Sequence, residues 1–427
     1  MANVHPAFRQ AEKHFKNRAT HALPALRDVP PALCRPVLDL SRPDSCEDDE
    51  VWLAGWWGRM YEPPVAGRKP RKARDRPRGE RAPLPDLQAE GIRTITLADG
   101  RVGYVVSEAG CVLIPGYLDA EAQEALLTAS LAEYTRPPNP LSLGTHYALP
   151  PNMFELYASA PDTLVRPRHL ELEEEERSAR AEEAQRTAGT RPLIETAPAF
   201  TMGFDEVKRR NATWTGDAMS LKAGTKSVDA LMKEMRWANL GWVYQWSTKS
   251  YDFSTDTPIP FPPDLSQQCR EVVGIVPWVD VYADIEAESL PNFAAWSEDY
   301  EPDTGIVNFY QRNDTLMAHV DRSELDNSRP LVSISLGHAA LFLLGSGDRA
   351  DPPRPLILRS GDVLIMSGRG RQAYHGVPRI LEDSLPAHLR PREDDSPTLA
   401  AVKRWISTAR INVNARQVFP PGFKRLA

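Results

Sequence analysis

The 427-residue sequence contains no apolar run near the roughly twenty residues that a membrane-spanning helix needs. It also shows no apolar segment of the secretory signal-peptide kind. Its only four cysteines have neither disulfide-framework nor zinc-site spacing, which predicts free thiols in a reducing compartment. A net charge of −7 lacks the overall basic character that favours nucleic-acid binding, although a local basic patch would suffice. The cysteines are Cys34, Cys46, Cys111 and Cys269.

Charge and proline content divide the chain into regions. Residues 1–110 are predicted to form an extension with a basic, disordered loop at about 62–88, and residues 111–420 to form the main domain. The loop is interpreted either as a solvated linker or as a phosphate-contacting or nuclear-import segment. The acid-poor start of the chain fits a short amphipathic helix or a mitochondrial presequence. A charged insert is predicted at about 160–225.

Short strands rich in Val, Ile and Leu fill the predicted core at about 237–420. Glycine, aspartate and proline turns separate them, which is typical of a double-sheet jelly roll within an α+β protein. One of these strands is predicted over residues 404–416. Upstream, residues 100–118 predict a hairpin, and Asp119 is the expected N-cap of the helix that follows it.

The chemistry is carried by His319-Val-Asp321, His375 and Arg410. Two histidines and one carboxylate can occupy one face of an octahedral Fe(II) and leave three positions open. A His-x-Asp tripeptide alone is more typical of a surface histidine beside a solvated aspartate than of a metal site. Arg410 provides a fixed positive charge suited to a dicarboxylate, unless it forms a structural salt bridge.

Three strings around these residues read HVDRSELD, SGDVLIMSG and ARINVNARQV. With their order and spacing, the chain resembles the AlkB family of Fe(II)- and 2-oxoglutarate-dependent dioxygenases, in particular the class of the first AlkB homologue and its fungal members. The resemblance is dense over residues 237–419 and thinner over residues 6–153. It implies a double-stranded β-helix (jelly roll, cupin-like) core braced by N-terminal helices.

The resemblance also implies the ligands. His319, Asp321 and His375 would bind Fe(II), with 2-oxoglutarate and O2 at the open positions and succinate and CO2 as products. Arg410 would pair with the distal carboxylate of 2-oxoglutarate. Contacts with the co-substrate are also expected from Asn308, Tyr310, Asn412 and Arg416. For Asn308 and Tyr310, the alternative interpretation is a strand end with a buried tyrosine.

The segment LGWVYQWSTKSYDF resembles the nucleotide-recognition lid of the family, in which aromatic residues stack on a base. Trp242, Tyr244 and Tyr251 are therefore candidates for substrate binding, with strand packing as the alternative. Ser323 stands where bacterial members have a second acidic residue, which puts the bacterial way of recognising the base in doubt.

The expected function is oxidative demethylation of N1-methyladenine in tRNA or N6-methyladenine in DNA, with release of formaldehyde. The alternatives are oxidation of 5-methylcytosine in tRNA, oxygenation of a methylated protein such as a histone, a binding module with an unused iron site, and abasic-site cleavage by a lysine. Expected partners are tRNA or single-stranded or unpaired DNA, with no membrane; the sequence identifies no protein partner. The expected location is the nucleus, the cytoplasm or both, or else the mitochondrion.

Overall fold

The structure is a computed structural model that describes residues 6–16, 37–41, 86–107, 110–187, 204–212, 219–246, 249–254, 257–321, 323–382, 384–420 and 422–423. The predicted basic loop lies outside the described residues except at 86–88. Two parts of the predicted charged insert, 188–203 and 213–218, also lie outside them. Within the described part of the chain, no helix is both long enough and apolar enough to span a bilayer.

Helices and strands alternate along the chain, with the strands concentrated in its last third. The α-helices are α1 (Ala7–Lys16), α2 (Ala120–Thr128), α3 (Met153–Ser159), α4 (Glu174–Thr187), α5 (Phe204–Ala212), α6 (Val228–Glu234), α7 (Pro263–Gly274), α8 (Trp278–Val281), α9 (Trp296–Asp299) and α10 (Pro397–Ile406). The strands are β1 (Arg93–Thr96), β2 (Val102–Ser107), β3 (Cys111–Ile114), β4 (Leu164–Val165), β5 (Lys226–Ser227), β6 (Trp237–Gly241), β7 (Tyr244–Gln245), β8 (Ser250–Tyr251), β9 (Thr304–Gln311), β10 (Leu316–His319), β11 (Leu331–Gly337), β12 (Ala340–Leu344), β13 (Arg354–Leu358), β14 (Val363–Met366), β15 (His375–Ile380) and β16 (Ala409–Arg416).

Two sheets form the core. The larger has eight strands in the order β1-β2-β3-β14-β11-β16-β9-β6, and the smaller has four in the order β10-β15-β12-β13. Side chains on successive strand residues point to opposite faces, so β14 contributes to two clusters. Leu364 and Met366 pack with Phe342 of the smaller sheet, whereas Val363 and Ile365 join the cluster that contains the helices. The predicted jelly-roll core is therefore present.

The outer face of the larger sheet is covered by helices from the middle and the end of the chain. In α10, Pro397 follows the N-cap Ser396, whose side chain accepts the N–H of Leu399, and Trp405 is buried. The strand predicted over residues 404–416 is therefore wrong at its start, where residues 404–406 are helical and the strand begins at Ala409. A capped start and apolar residues at helical spacing favour the helix there.

The hairpin and the helix N-cap predicted over residues 100–119 are present in the structure. β2 and β3 pair antiparallel as the expected hairpin, and the side chain of Asp119 accepts the N–H of Ala122 at the start of α2. The charged insert forms the helix α4 over part of its length. β1 and β2 belong to the eight-stranded sheet, although the expected boundary at residue 110 assigns them to the extension.

Helix α1 lies on the outer face of the smaller sheet. Phe8 and Phe15 are fully buried and pack with Leu341 and Leu343 of β12. The N-terminal region thus contributes one described helix to the smaller sheet, while the larger sheet is covered by helices that come later in the chain.

Candidate metal centre

The two predicted histidine ligands lie opposite each other on adjacent strands. β10 and β15 pair antiparallel, with His319 in register with His375, and Asp321 lies two residues after His319. The Nε2 atoms of His319 and His375 are 3.7 and 3.9 Å from the carboxylate oxygens of Asp321. One ligand atom from each of the three residues lies within 4.8 Å of the others. The structure therefore brings the predicted triad together in space.

The second nitrogen of each imidazole is already engaged. His319 Nδ1 is 2.9 Å from the Met317 carbonyl oxygen, and His375 Nδ1 is 3.0 Å from that of Ala373. A carbonyl accepts only, so each Nδ1 carries the proton and donates it, which leaves both Nε2 lone pairs facing Asp321. This tautomer and this N2O donor set fit a divalent transition metal.

The protonation states also suit a metal. Burial raises the pKa of the Asp321 carboxyl, but the nearby Arg416 and the two histidines outweigh that effect and hold the pKa well below its usual range. Burial, followed by the neighbouring His319, lowers the pKa of His375 to about 4. Metal binding requires a deprotonated carboxylate and neutral imidazoles, which is how Asp321 and His375 stand at neutral pH.

A partly open cavity lies between the two sheets next to the triad. The smaller sheet contributes the two histidines, and the larger sheet contributes polar residues from β9, β11 and β16. The polar lining residues are Tyr310, His319, Asp321, Ser333, His375, Arg410, Asn412 and Asn414. The cavity thus combines the candidate metal ligands with one buried cation and several neutral polar groups.

Arg410 is the buried cation of this cavity and is only 1% exposed. Its Nη atoms donate to the carbonyls of His338 and Leu358 and to the hydroxyl of Ser335, at 2.7–3.1 Å. Its Nε has no partner, and the described residues offer it no ion pair, so the expected alternative of a structural salt bridge finds no support there. Burial lowers its pKa to about 10, which leaves the charge in place at neutral pH. An unpaired guanidinium with a spare donor fits a ligand carboxylate.

The other predicted co-substrate residues occupy different positions around the cavity. Antiparallel pairing of β9 with β16 puts Tyr310 opposite Arg410 and Asn308 opposite Asn412. Tyr310 and Asn412 line the cavity, and the Asn412 amide donates to Ser333 at 2.9 Å. Asn308 is half-buried and is not among the lining residues. Contacts from these residues to a co-substrate stay predictions.

Arg416 directly contacts Asp321, one of the candidate metal ligands. Its Nη1 donates to Asp321 at 2.8 Å, and its Nε lies 2.7 Å from a carboxylate oxygen of Glu324 and 2.8 Å from the hydroxyl of Tyr251. Glu324 also pairs with the buried Arg371 at 3.0 Å. Neither Arg371 nor Glu324 is among the site residues predicted from the sequence. Both residues are close to the triad in the sequence, since Arg371 shortly precedes His375 and Glu324 shortly follows Asp321. That proximity was the sequence feature that indicated them.

The lid aromatics form a packed cluster. Trp242 is 2% exposed and packs edge-on against Phe253 at 5.5 Å, and Tyr251 is also buried. Tyr244 is half-buried and contacts Tyr251 and Trp246. Trp246, which the sequence analysis did not single out, is 40% exposed. Base stacking by Trp242, Tyr244 and Tyr251 therefore stays a prediction, and Trp242 and Tyr251 show the expected alternative of packing.

Comparisons with known proteins agree with this geometry. The family model described as the 2OG-Fe(II) oxygenase superfamily matches residues 197–416, which include all three triad residues and Arg410.

Three curated relatives have similar sequences. The chain is 37% identical over 225 residues to "tRNA demethylase abh1" of Schizosaccharomyces pombe, over 51% of this chain and 66% of that protein. It is 30% identical to "DNA N(6)-methyladenine demethylase ALKBH1A" of Arabidopsis thaliana, over 79% and 82% respectively. It is 31% identical to "Nucleic acid dioxygenase ALKBH1" of Homo sapiens, over 66% and 63%. The chain thus spans just under two thirds of the yeast and human relatives and more of the plant one.

Proposed function

Since the chain belongs to the 2OG-Fe(II) oxygenase superfamily and, within it, to the AlkB family, we propose that it is a dioxygenase that removes methyl groups from nucleobases. One observation carries the proposal. The His319, Asp321 and His375 triad shares a cavity with Arg410, a buried cation with a spare donor atom. Iron and a dicarboxylate co-substrate need those two features side by side.

Each residue has a definable task. His319, Asp321 and His375 hold Fe(II), and Arg410 holds the distal carboxylate of 2-oxoglutarate. Arg416 holds the carboxylate of Asp321 in one orientation through its 2.8 Å hydrogen bond. When bound, Fe(II), 2-oxoglutarate and O2 supply the oxidation of a methyl C–H bond, coupled to decarboxylation of 2-oxoglutarate to succinate and CO2. The N-hydroxymethyl base then loses formaldehyde and the unmodified base remains.

Methylated adenine is the proposed substrate, as N1-methyladenine in tRNA or N6-methyladenine in DNA. The activities in the names of the three relatives support a nucleic-acid substrate. The cavity lies between two sheets, so the base must leave its stack to reach the metal, which favours single strands, loops and flipped nucleotides. We propose that the protein acts where such substrates occur, in the nucleus, the cytoplasm or both, with the mitochondrion as the further possibility.

The test is nucleoside mass spectrometry after incubation with Fe(II), 2-oxoglutarate and ascorbate. The substrates are N1-methyladenine tRNA, 5-methylcytosine tRNA, and N6-methyladenine DNA in single-stranded and bubbled form. We expect one methyl mark to disappear with the parent protein and to persist with the His319→Ala variant. Loss of the mark with the variant would refute the iron site.

Two further outcomes separate the alternatives. Succinate formed with methylated peptides, while every nucleoside stays unchanged, would make the protein a protein oxygenase. No succinate with any substrate would make it a binding module.

A further inference from the structure

The strand that carries His319 is the edge of the smaller sheet. Among the described strands, β10 has a hydrogen-bonded neighbour, β15, on one side only, and the register between them shifts between Leu316 and His319. An edge strand leaves backbone N–H and C=O groups without sheet partners on its outer side. The metal ligand is therefore attached to a strand whose sheet pairing is incomplete, and its position depends on what covers the outer edge.

Helix α1 covers that edge with a buried charge. The carboxylate of Glu12 accepts the N–H of Ala318 at 2.6 Å, and Arg349 donates to the carbonyl of the same residue at 3.3 Å. Glu12 is 3% exposed, and its other oxygen pairs with Arg9 at 3.0 Å. Burying a carboxylate is costly unless it is paired and hydrogen-bonded, so an acidic residue on the apolar face of α1 calls for a specific partner.

The bond from Glu12 reaches the metal ligand through one peptide group. The N–H of Ala318 and the C=O of Met317 belong to the same planar unit. Glu12 accepts from its N–H end, while its C=O end accepts the Nδ1–H of His319 at 2.9 Å. Hydrogen bonds in such a chain polarise one another. A carboxylate at one end strengthens the acceptor that fixes the histidine at the other, much as a carboxylate does when it contacts a metal-bound histidine directly.

We propose that Glu12 is a positioning residue for the metal ligand His319 and acts through the Met317–Ala318 peptide. Glu12 holds the carbonyl that orients the imidazole and fixes its tautomer, so that Nε2 points towards Asp321 and His375. The inference rests on the metal site of the proposed function. It makes the first helix of the chain a part of the metal centre, although no residue of that helix lines the cavity.

The test compares divalent-metal affinity with the stability of the metal-free protein. Mn(II) binding is measured by calorimetry and thermal unfolding is measured in chelator, for the parent and for Glu12→Gln, Glu12→Met, Lys16→Ala and His319→Ala. Methionine fills the space but offers only a weak sulfur acceptor, whereas glutamine keeps an acceptor oxygen. Lys16 lies on the exposed face of the same helix. We expect Glu12→Met to lose about tenfold in Mn(II) affinity. Glu12→Gln keeps an acceptor and loses the charge, so its affinity should lie between those of Glu12→Met and the parent. Lys16→Ala should match the parent.

A purely packing role predicts the opposite order, with methionine at least as good as glutamine. Glu12→Met binding Mn(II) as tightly as the parent, or more tightly than Glu12→Gln, would overturn the inference. Should Glu12→Met not fold, equal affinities of Glu12→Gln and the parent would overturn it. If His319→Ala abolishes binding while the Glu12 variants bind normally, the inference alone fails. If the parent binds no more Mn(II) than His319→Ala does, the metal site of the proposed function fails as well.

Discussion

Replacing Arg410 should separate ligand binding from fold stability. The side chain is buried, donates three hydrogen bonds to the protein and has one unpartnered nitrogen. Losing the hydrogen bonds destabilises the fold, whereas removing a buried charge that has no ion-pair partner among the described residues recovers its cost of desolvation. The two effects oppose each other. We therefore expect metal-free Arg410→Met to lose no more than about 2 kcal/mol in free energy of unfolding.

The affinity for 2-oxoglutarate should fall far more. Removing one partner of a buried, hydrogen-bonded charge pair costs about 2–5 kcal/mol, and each 1.4 kcal/mol is about tenfold in Kd. We expect the Kd of 2-oxoglutarate for Mn(II)-loaded Arg410→Met to rise by at least about 30-fold. Arg410→Lys should lie between this variant and the parent, because lysine keeps the charge and loses the planar fork.

The assay is calorimetric titration of 2-oxoglutarate into Mn(II)-loaded protein, with urea unfolding of the metal-free protein in parallel. Arg392→Met is the matched control, since Arg392 forms an exposed ion pair with Asp394. A Kd for Arg410→Met close to that of the parent would refute the assignment of the cavity to the co-substrate. A loss in free energy of unfolding well beyond about 2 kcal/mol would show that Arg410 serves the fold first.

Three further predictions address the surroundings of the site. Burial raises the pKa of Asp303 from 3.8 to about 7, so the folded state holds this proton more tightly than the unfolded state does. The carboxyl therefore contributes stability that is present below about pH 4 and is lost as the pH rises to about 7. The stability of Asp303→Asn should lack this pH dependence. A Cβ at Gly376 would lie 2.9 Å from a backbone oxygen of the metal-bearing strand, so Gly376→Ala should cost about 1–3 kcal/mol and weaken Mn(II) binding, whereas Gly347→Ala, which has open space, should do neither. Glu324→Leu removes the carboxylate that pairs with buried Arg371 and should cost about 3–5 kcal/mol in urea unfolding.

Each of these has a contrary result. Equal pH profiles for the parent and Asp303→Asn would show that this carboxyl does not titrate in that window. Unchanged Mn(II) affinity in Gly376→Ala would mean that the edge strand tolerates displacement. A Glu324→Leu protein as stable as the parent would show that its arginine partners find other anions or water.

The candidate metal ligands could be proposed from the sequence because metal binding demands particular residue types. A His-x-Asp pair and a later histidine are visible in the sequence, and antiparallel pairing of β10 with β15 brings them together. The role of Arg416 was less accessible. Strand periodicity puts it on the same face as Arg410, but its contact with Asp321 depends on where the loop after β10 folds. That path is a long-range property of the chain.

The lid shows a second limit. Trp242, Tyr244 and Trp246 alternate in sequence, and on one continuous strand they would share a face. The strand is interrupted: Gly241 has φ of 67°, and a Cβ there would lie 2.0 Å from the carbonyl oxygen of Asp303. After this break Trp242 turns into the aromatic cluster, while Trp246 remains 40% exposed. Periodicity cannot anticipate a turn that depends on a distant carbonyl.

The two halves of the site belong to different sheets. The triad comes from the smaller sheet and the loop after β10, and Arg410 comes from the larger one. Iron bound at the triad would join β10 and β15, which are distant in the chain. An ion that binds only the folded form raises its stability by mass action. In a cell starved of iron, more of the protein would be metal-free, and this less stable form would be degraded more readily by proteases. Its abundance, and not only its turnover number, would then follow the iron supply.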